Sequence, residues 1–203
     1  MALTPSTMLP LGTPLPAFEL TQVWGPNGAV GGGGDGEAWS STRLSAQQPV
    51  LVLFLCAHCP FVKHIEPELS RLEADHGDRI QIVAISSNST ITHPQDGPEG
   101  LREQAARNSW RFPYLFDASQ AVARTFDAAC TPDLYLFDAA HRLVYRGQLD
   151  GSRPGNDQPL DGRDLRAAIK ALLSGQAISA EQQPSIGCNI KWHPGREPEW
   201  WAT

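Results

Sequence analysis

Two cysteines separated by two residues, Cys56-Ala57-His58-Cys59, carry the clearest chemistry in the sequence. Thiols at that spacing can close a small disulfide ring and reopen it, and a thiolate is the attacking species in thiol–disulfide exchange. The pair lies where a continuous apolar run, Pro49-Val50-Leu51-Val52-Leu53-Phe54-Leu55, gives way to apolar residues spaced by three and four: Phe61, Val62, Ile65, Leu69 and Leu72. The run reads as a strand buried on both faces; the periodic segment reads as an amphipathic helix stopped at Gly77. At such a strand-to-helix turn, unsatisfied backbone N–H groups and the positive end of the helix dipole favour a thiolate. Cys56 is expected to attack and Cys59 to resolve. An imidazolium at His58 would favour the reduced thiolate further and make the disulfide more oxidising.

Two other readings compete. Half of a zinc site would need a second pair, but Cys130 and Cys188 are single and far apart, so no metal or cofactor is expected. Inert core cysteines would not be placed at the end of a buried strand and the start of a helix. From another functional class, Cys56, Cys59 and a histidine could bind Cu(I) as a copper carrier, because soft thiolates select that ion.

The elements around the motif repeat the same alternation. A second strand is expected over Ile80 to Ile85, a helix from Pro98 to about Asn108, a short segment at Tyr114 to Phe116 and a helix near Ala121 to Phe126. Strands at Leu134 to Phe137 and Leu143 to Arg146 flank a hairpin turn, and Leu165, Ile169 and Leu172 mark a last helix closed by Gly175. This order argues an α/β fold with a central mixed sheet covered by helices on both faces. Residues 1–48 form an N-terminal extension, in which Ala17 to Val23 reads as an edge strand or hairpin arm. The Gly31-Gly32-Gly33-Gly34-Asp35-Gly36 segment reads as a flexible loop, since it lacks the Lys-Ser/Thr of a phosphate loop. Residues 49–175 form the main domain, and 176–203 a tail without periodicity that packs on it.

Cys130-Thr131-Pro132-Asp133 precedes the strand Leu134 to Phe137. With this element and the CxxC turn together, residues 49–175 resemble the thioredoxin-fold superfamily, whose active-site cysteines face a cis-proline loop before a later strand. The resemblance implies a cis peptide before Pro132 and a backbone edge at Thr131 and Pro132 that pairs with an incoming disulfide substrate. It places Cys130 beside that edge, and Pro67 in the helix also fits the superfamily. The Cys-x-His-Cys-Pro motif, the Cys-Thr-Pro-Asp element and Pro184-Ser185-Ile186-Gly187-Cys188-Asn189-Ile190-Lys191-Trp192 look like the peroxiredoxin-like redoxins of the alkyl hydroperoxide reductase/thiol-specific antioxidant type. The implied activity is thiol–disulfide exchange by the Cys56/Cys59 couple on protein or low-molecular-weight substrates, with a separate redox partner. A thiol peroxidase is the alternative, but Leu53 stands where peroxiredoxins carry Thr or Ser, and Pro132 and Asp133 stand near the place of their arginine. Thioredoxins carry a Trp before the first Cys and a buried acid six residues ahead of it; Leu55 and Val50 occupy those places, leaving Glu66 or Asp133 as candidate bases.

Cys188 is expected to fold back toward the CxxC turn as a third redox thiol that pairs with Cys56 or Cys130, carried by a tail whose Trp192, Trp200 and Trp201 supply apolar surface for docking or for a dimer contact. Lys63 and His64 read as a solvated helix face, and His76, His93, His141 and His193 are scattered without metal spacing. The 203 residues carry 16 Lys and Arg against 22 Asp and Glu, a net charge of −6, which excludes a phosphate-tracking surface. No apolar run approaches the roughly 20 residues of a membrane span. Met1 to Leu15 has neither a basic leader nor an apolar stretch, and four cysteines are too few for a disulfide scaffold, so a cytoplasmic protein is expected, monomeric or homodimeric.

Overall fold

The computed structural model describes residues 3–31 and 36–199; Gly32 to Asp35 of the glycine segment, Trp200 and Trp201 lie outside them. In chain order the strands and helices are β1 (Leu3–Pro5), β2 (Glu19–Gly25), β3 (Gly28–Ala29), β4 (Glu37–Ser40), β5 (Val50–Phe54), α1 (Pro60–His76), β6 (Gln81–Ser86), α2 (Pro98–Arg107), β7 (Tyr114–Phe116), α3 (Ala121–Thr125), β8 (Cys130–Thr131), β9 (Asp133–Phe137), β10 (Leu143–Arg146), α4 (Arg163–Leu173) and β11 (Ile186–Asn189).

The main sheet runs β10-β9-β5-β6-β7-β2-β3, with β4 also paired to β2. β5, β6 and β7 are parallel, whereas β9 runs antiparallel to β5 and β2 antiparallel to β7, so the sheet is mixed. Every residue of β5 is buried because both of its faces are covered. Leu51 and Leu53 pack with Val62, Ile65 and Leu69 of α1 and Ile169 of α4. Val50, Val52 and Phe54 pack on the other face with Val122 and Phe126, and with Leu9 and Phe18 of the N-terminal segment. Phe126 lies edge-on to Phe54 at 5.3 Å and to Tyr135 at 5.4 Å, geometry that suits the ring quadrupoles. Among the described residues no helix is long and apolar enough to cross a membrane.

Gly77 caps α1 as expected, with a right-handed φ of −63°, whereas Gly175 after α4 has φ +65°. Two local outcomes differ from the sequence reading. β2 is a hairpin arm with β3 and not an edge strand, since β7 pairs on one side and β3 and β4 on the other. The tail is not without structure: β11 is the middle strand of a second sheet, β1-β11-β8. Four residues of mixed polarity give no periodic signal, and the strand exists because β1 and β8 supply partners on both sides.

That tail is held at several points between Ser185 and Trp192. Ser6 N–H donates to Ser185 O at 2.8 Å, Ile190 N–H to Ala129 O at 3.0 Å and Lys191 N–H to Asn88 Oδ1 at 2.8 Å. Trp192 is buried beneath the Arg124 guanidinium, whose carbon lies 4.7 Å from the ring centre. Gly187 is required by close approach, for a Cβ there would come within 2.1 Å of the Thr131 carbonyl oxygen. Gly187→Ala is therefore expected to lift β11 from β8 and raise the alkylation rate of Cys188 by about tenfold or more through local opening. An unchanged rate by mass spectrometry of timed quenches would show that the backbone absorbs the methyl group.

Candidate functional site

The turn between β5 and α1 puts Cys56 just past the strand and makes Cys59 the N-cap of α1, with Pro60 as the first helical residue. Opposite them lies Thr131-Pro132, whose peptide bond is cis. Cys56 Sγ is 3.3 Å from Thr131 Oγ1, and Cys59 Sγ is 3.2 Å from the Thr131 carbonyl oxygen. One residue therefore touches both sulfurs. All four cysteines are free thiols, and all are buried.

A carboxylate remote in sequence holds the turn. Asp96 Oδ1 accepts from the Ala57 and His58 amides at 3.0 and 3.1 Å, and Oδ2 accepts from Asn88 Nδ2 at 2.8 Å and lies 2.5 Å from His58 Nδ1. Burial opposes its ionisation, but these hydrogen bonds, His58's foremost, hold it below the ordinary carboxylate value. His58 Nδ1 is also 3.8 Å from Cys56 Sγ, and the His93 ring packs on the His58 ring at 4.7 Å. Neither Asp96 nor His93 was singled out by spacing. Asp96 sits in the turn before α2, and no motif links position 96 to position 58; only the fold brings them together. Asp96→Ala is expected to cost about 2–4 kcal/mol of stability by leaving two amides and Asn88 unpaired in a fully buried position. Urea unfolding measures this, and a loss under about 0.5 kcal/mol, the usual size at surface sites, would show that water replaces the carboxylate.

The thiols differ electrostatically, and not as the sequence suggests. Burial, above all, pushes Cys56 well above the ordinary thiol value, and the nearby Cys59 and Asp96 add to it, while Thr131 opposes. Cys59 is pulled far below that value by hydrogen bonds from Cys188 and Cys56, against the cost of burial, with help from the Val62 amide in the first turn of α1. The helix start thus favours charge on Cys59, its N-cap, rather than on Cys56 three residues earlier. Cys188 rises because its proton is held by Cys59, with burial second. Cys130 rises chiefly through burial and then through Asp133; its thiol donates to Pro132 O at 3.5 Å.

Neither candidate base touches a thiol. Glu66 accepts from Arg107 at 3.2 Å and from Gln104 at 2.9 Å, and Gln104 in turn donates to the Cys56 carbonyl at 3.2 Å, so Glu66 supports the turn's backbone. Asp133 is buried on β9 opposite Phe54 and accepts from Tyr135 Oη at 2.9 Å. Lys63 is exposed, and His64 Nε2 lies 3.0 Å from Ser152 Oγ. Cys56, His58 and Asp96 bring three ligand atoms within 4.8 Å of one another, one soft donor among them. A cleft lined in part by Trp39, Arg43, Glu73 and Arg111 lies at the other end of the sheet, beside the start of β6 and away from the thiols.

Residues 11–146 match the AhpC/TSA family. An uncharacterized conserved protein from Geobacillus kaustophilus is 43% identical, with 96% of this chain and 98% of that one covered and a TM-score of 0.88. A hypothetical protein from Sinorhizobium meliloti 1021 is 39% identical, with 95% and 100% covered and a TM-score of 0.85. A putative thiol:disulfide interchange protein DsbE from Chlorobium tepidum shares the fold at 19% identity, with 81% and 99% covered and a TM-score of 0.59. No curated protein matches. With a mixed sheet flanked by helices, a cysteine pair at the first strand-to-helix turn and a cis-proline loop facing it, the chain belongs to the AhpC/TSA family and has the thioredoxin-like fold.

Proposed function

We propose that the protein is a thiol–disulfide oxidoreductase that cycles Cys56 and Cys59 between dithiol and disulfide. The observation that carries this reading is the contact of both sulfurs with Thr131 at 3.3 and 3.2 Å, which holds the two thiols side by side. Cys56 attacks one sulfur of a substrate disulfide, the S–S bond breaks, and the other half leaves as a thiolate. Cys59 then attacks the Cys56 sulfur of the mixed disulfide and releases the second half. The substrate gains two electrons and two protons, the chain keeps a Cys56–Cys59 disulfide, and a dithiol partner reduces it. Thioredoxin-like enzymes use a buried acid to deprotonate the resolving thiol; here the hydrogen bond from Cys188, which remains when Cys56 is held in the mixed disulfide, takes over that task. Substrates are protein or low-molecular-weight disulfides.

The test is a titration of the full chain in glutathione buffers, with acid quench, alkylation and peptide mapping. A reversible Cys56–Cys59 disulfide supports the couple, and its midpoint states whether it reduces or oxidises partners. No such disulfide at any glutathione ratio would end this reading. A second reading, thiol peroxidase, draws on one contact: a threonine hydroxyl does reach Cys56, from Thr131 rather than from position 53. Consumption of hydrogen peroxide by the reduced protein faster than reduction of any disulfide would favour it, and stoichiometric Cu(I) after purification in reductant would favour the copper carrier.

A further inference from the structure

We propose that Cys188 is a third redox thiol, which exchanges with the Cys56–Cys59 disulfide to form a Cys59–Cys188 disulfide. The inference rests on the Cys56/Cys59 couple proposed above and adds a second stable home for its oxidising equivalent. The sequence led to Cys56 or Cys130 as the partner of Cys188; the structure points to Cys59.

Three observations carry it. β11 runs antiparallel to β8 with Cys188 directly opposite Thr131, the residue that contacts both active-site sulfurs. Gly187 permits an approach to Thr131 that no side chain would allow, so Cys188 is held at the site by backbone and not by a swinging tail. The Cys188 and Cys59 thiols are hydrogen-bonded to each other. Cys59 thus shares hydrogen bonds with both Cys56 and Cys188. A thiol placed only to fill space needs no such partner. Cys130 provides the contrast: it is equally buried, but its thiol is spent on the Pro132 carbonyl.

The exchange balances without an added oxidant. The Cys188 sulfur, losing its proton, attacks Cys59 Sγ of the Cys56–Cys59 disulfide. The S–S bond breaks with its electron pair going to Cys56, which takes up the proton, and one S–S bond has replaced another. Cys56 is then free while the chain remains oxidised by two electrons, and α1 is tied covalently to β11. A dithiol that reduces Cys59–Cys188 returns the site to three thiols.

The test equilibrates full-length wild type, Cys56→Ser, Cys188→Ser and Cys130→Ser in reduced and oxidised glutathione, followed by acid quench, alkylation and tryptic mapping. Lys63 separates Cys59 from Cys188, so their disulfide crosslinks two peptides, whereas Cys56–Cys59 stays within one. Wild type and Cys130→Ser are expected to show both species, with the crosslink at about a tenth or more of the oxidised protein, a ratio set by similar potentials. Cys56→Ser should give the crosslink alone, and Cys188→Ser only the Cys56–Cys59 ring. Absence of the crosslink from Cys56→Ser, across the glutathione range that oxidises wild type, overturns the proposal and leaves the couple standing. Should Cys56→Ser not fold, partly oxidised wild type decides: a Cys56–Cys59 ring without any crosslink overturns it equally. A wild type that forms no Cys56–Cys59 ring instead removes the couple itself.

Discussion

Cys56→Ser is expected to lower the rate of disulfide reduction by about a thousandfold or more, because a serine hydroxyl cannot attack sulfur at neutral pH. Cys59→Ser should be as inactive in turnover but different in kind: the first attack proceeds and stops at a mixed disulfide with Cys56, visible as added mass on the intact protein. The same electrostatics set the pH profile. Cys56 is held protonated by burial, so attack should speed up about tenfold per pH unit through neutrality, as the thiolate fraction does below its pKa. The Cys59 step should be flat over the same range, since its charge is already favoured. Steady-state reduction of a small aromatic disulfide, with dithiothreitol as reductant, measures the first; single-turnover release of the second thiol measures the other. Substantial activity in Cys56→Ser would move the attacking role to Cys59.

The contribution of one buried carboxyl to stability is expected to fall as pH rises from about 4 to 7, the reverse of what paired carboxylates produce. The group is Asp133. Complete burial raises its carboxyl from 3.8 to about 7, against the hydrogen bonds that Tyr135, foremost, and Ser6 donate to it. The folded chain therefore keeps a proton that the unfolded chain loses near pH 4. Between those two values the unfolded state binds fewer protons, so each step upward in pH favours unfolding, by about 4 kcal/mol in all. Below pH 4 both states are protonated and the contribution is fully present; above pH 7 it is lost. Asp133→Asn, which keeps the shape and cannot ionise, should remove most of this slope. Urea unfolding of both proteins at pH 4, 5.5 and 7 checks it: a constant difference between them would mean that Asp133 is ionised throughout.

How much of this was legible in the sequence follows from which interactions are local. β5, α1, β7 and β10 follow from hydrophobic runs and periods, because a two-sided buried strand and an amphipathic helix each leave a pattern within a few residues. The CxxC turn was legible for the same reason, and the cis peptide only through the resemblance. Asp96 and His93 were not, since their meaning comes from long-range contacts across 35 residues and more. The reversal of charge between Cys56 and Cys59 was equally hidden, for it depends on Cys188, which reaches Cys59 only after β11 has found β8. A four-residue strand whose stability is borrowed from two partners leaves almost no trace in composition.

The pairing of β11 with β8 also bears on what the protein can act upon. The edge beside Thr131 and Pro132, where an extended polypeptide would add itself by main-chain hydrogen bonds, is already occupied by residues of the same chain. A tethered competitor has an effective concentration on the order of millimolar, so a protein client present at micromolar levels starts at a disadvantage of about a thousandfold. A small disulfide that needs only the sulfurs, and not the strand edge, escapes that competition. On the function proposed above, the backbone itself thereby favours small disulfides over extended polypeptide clients.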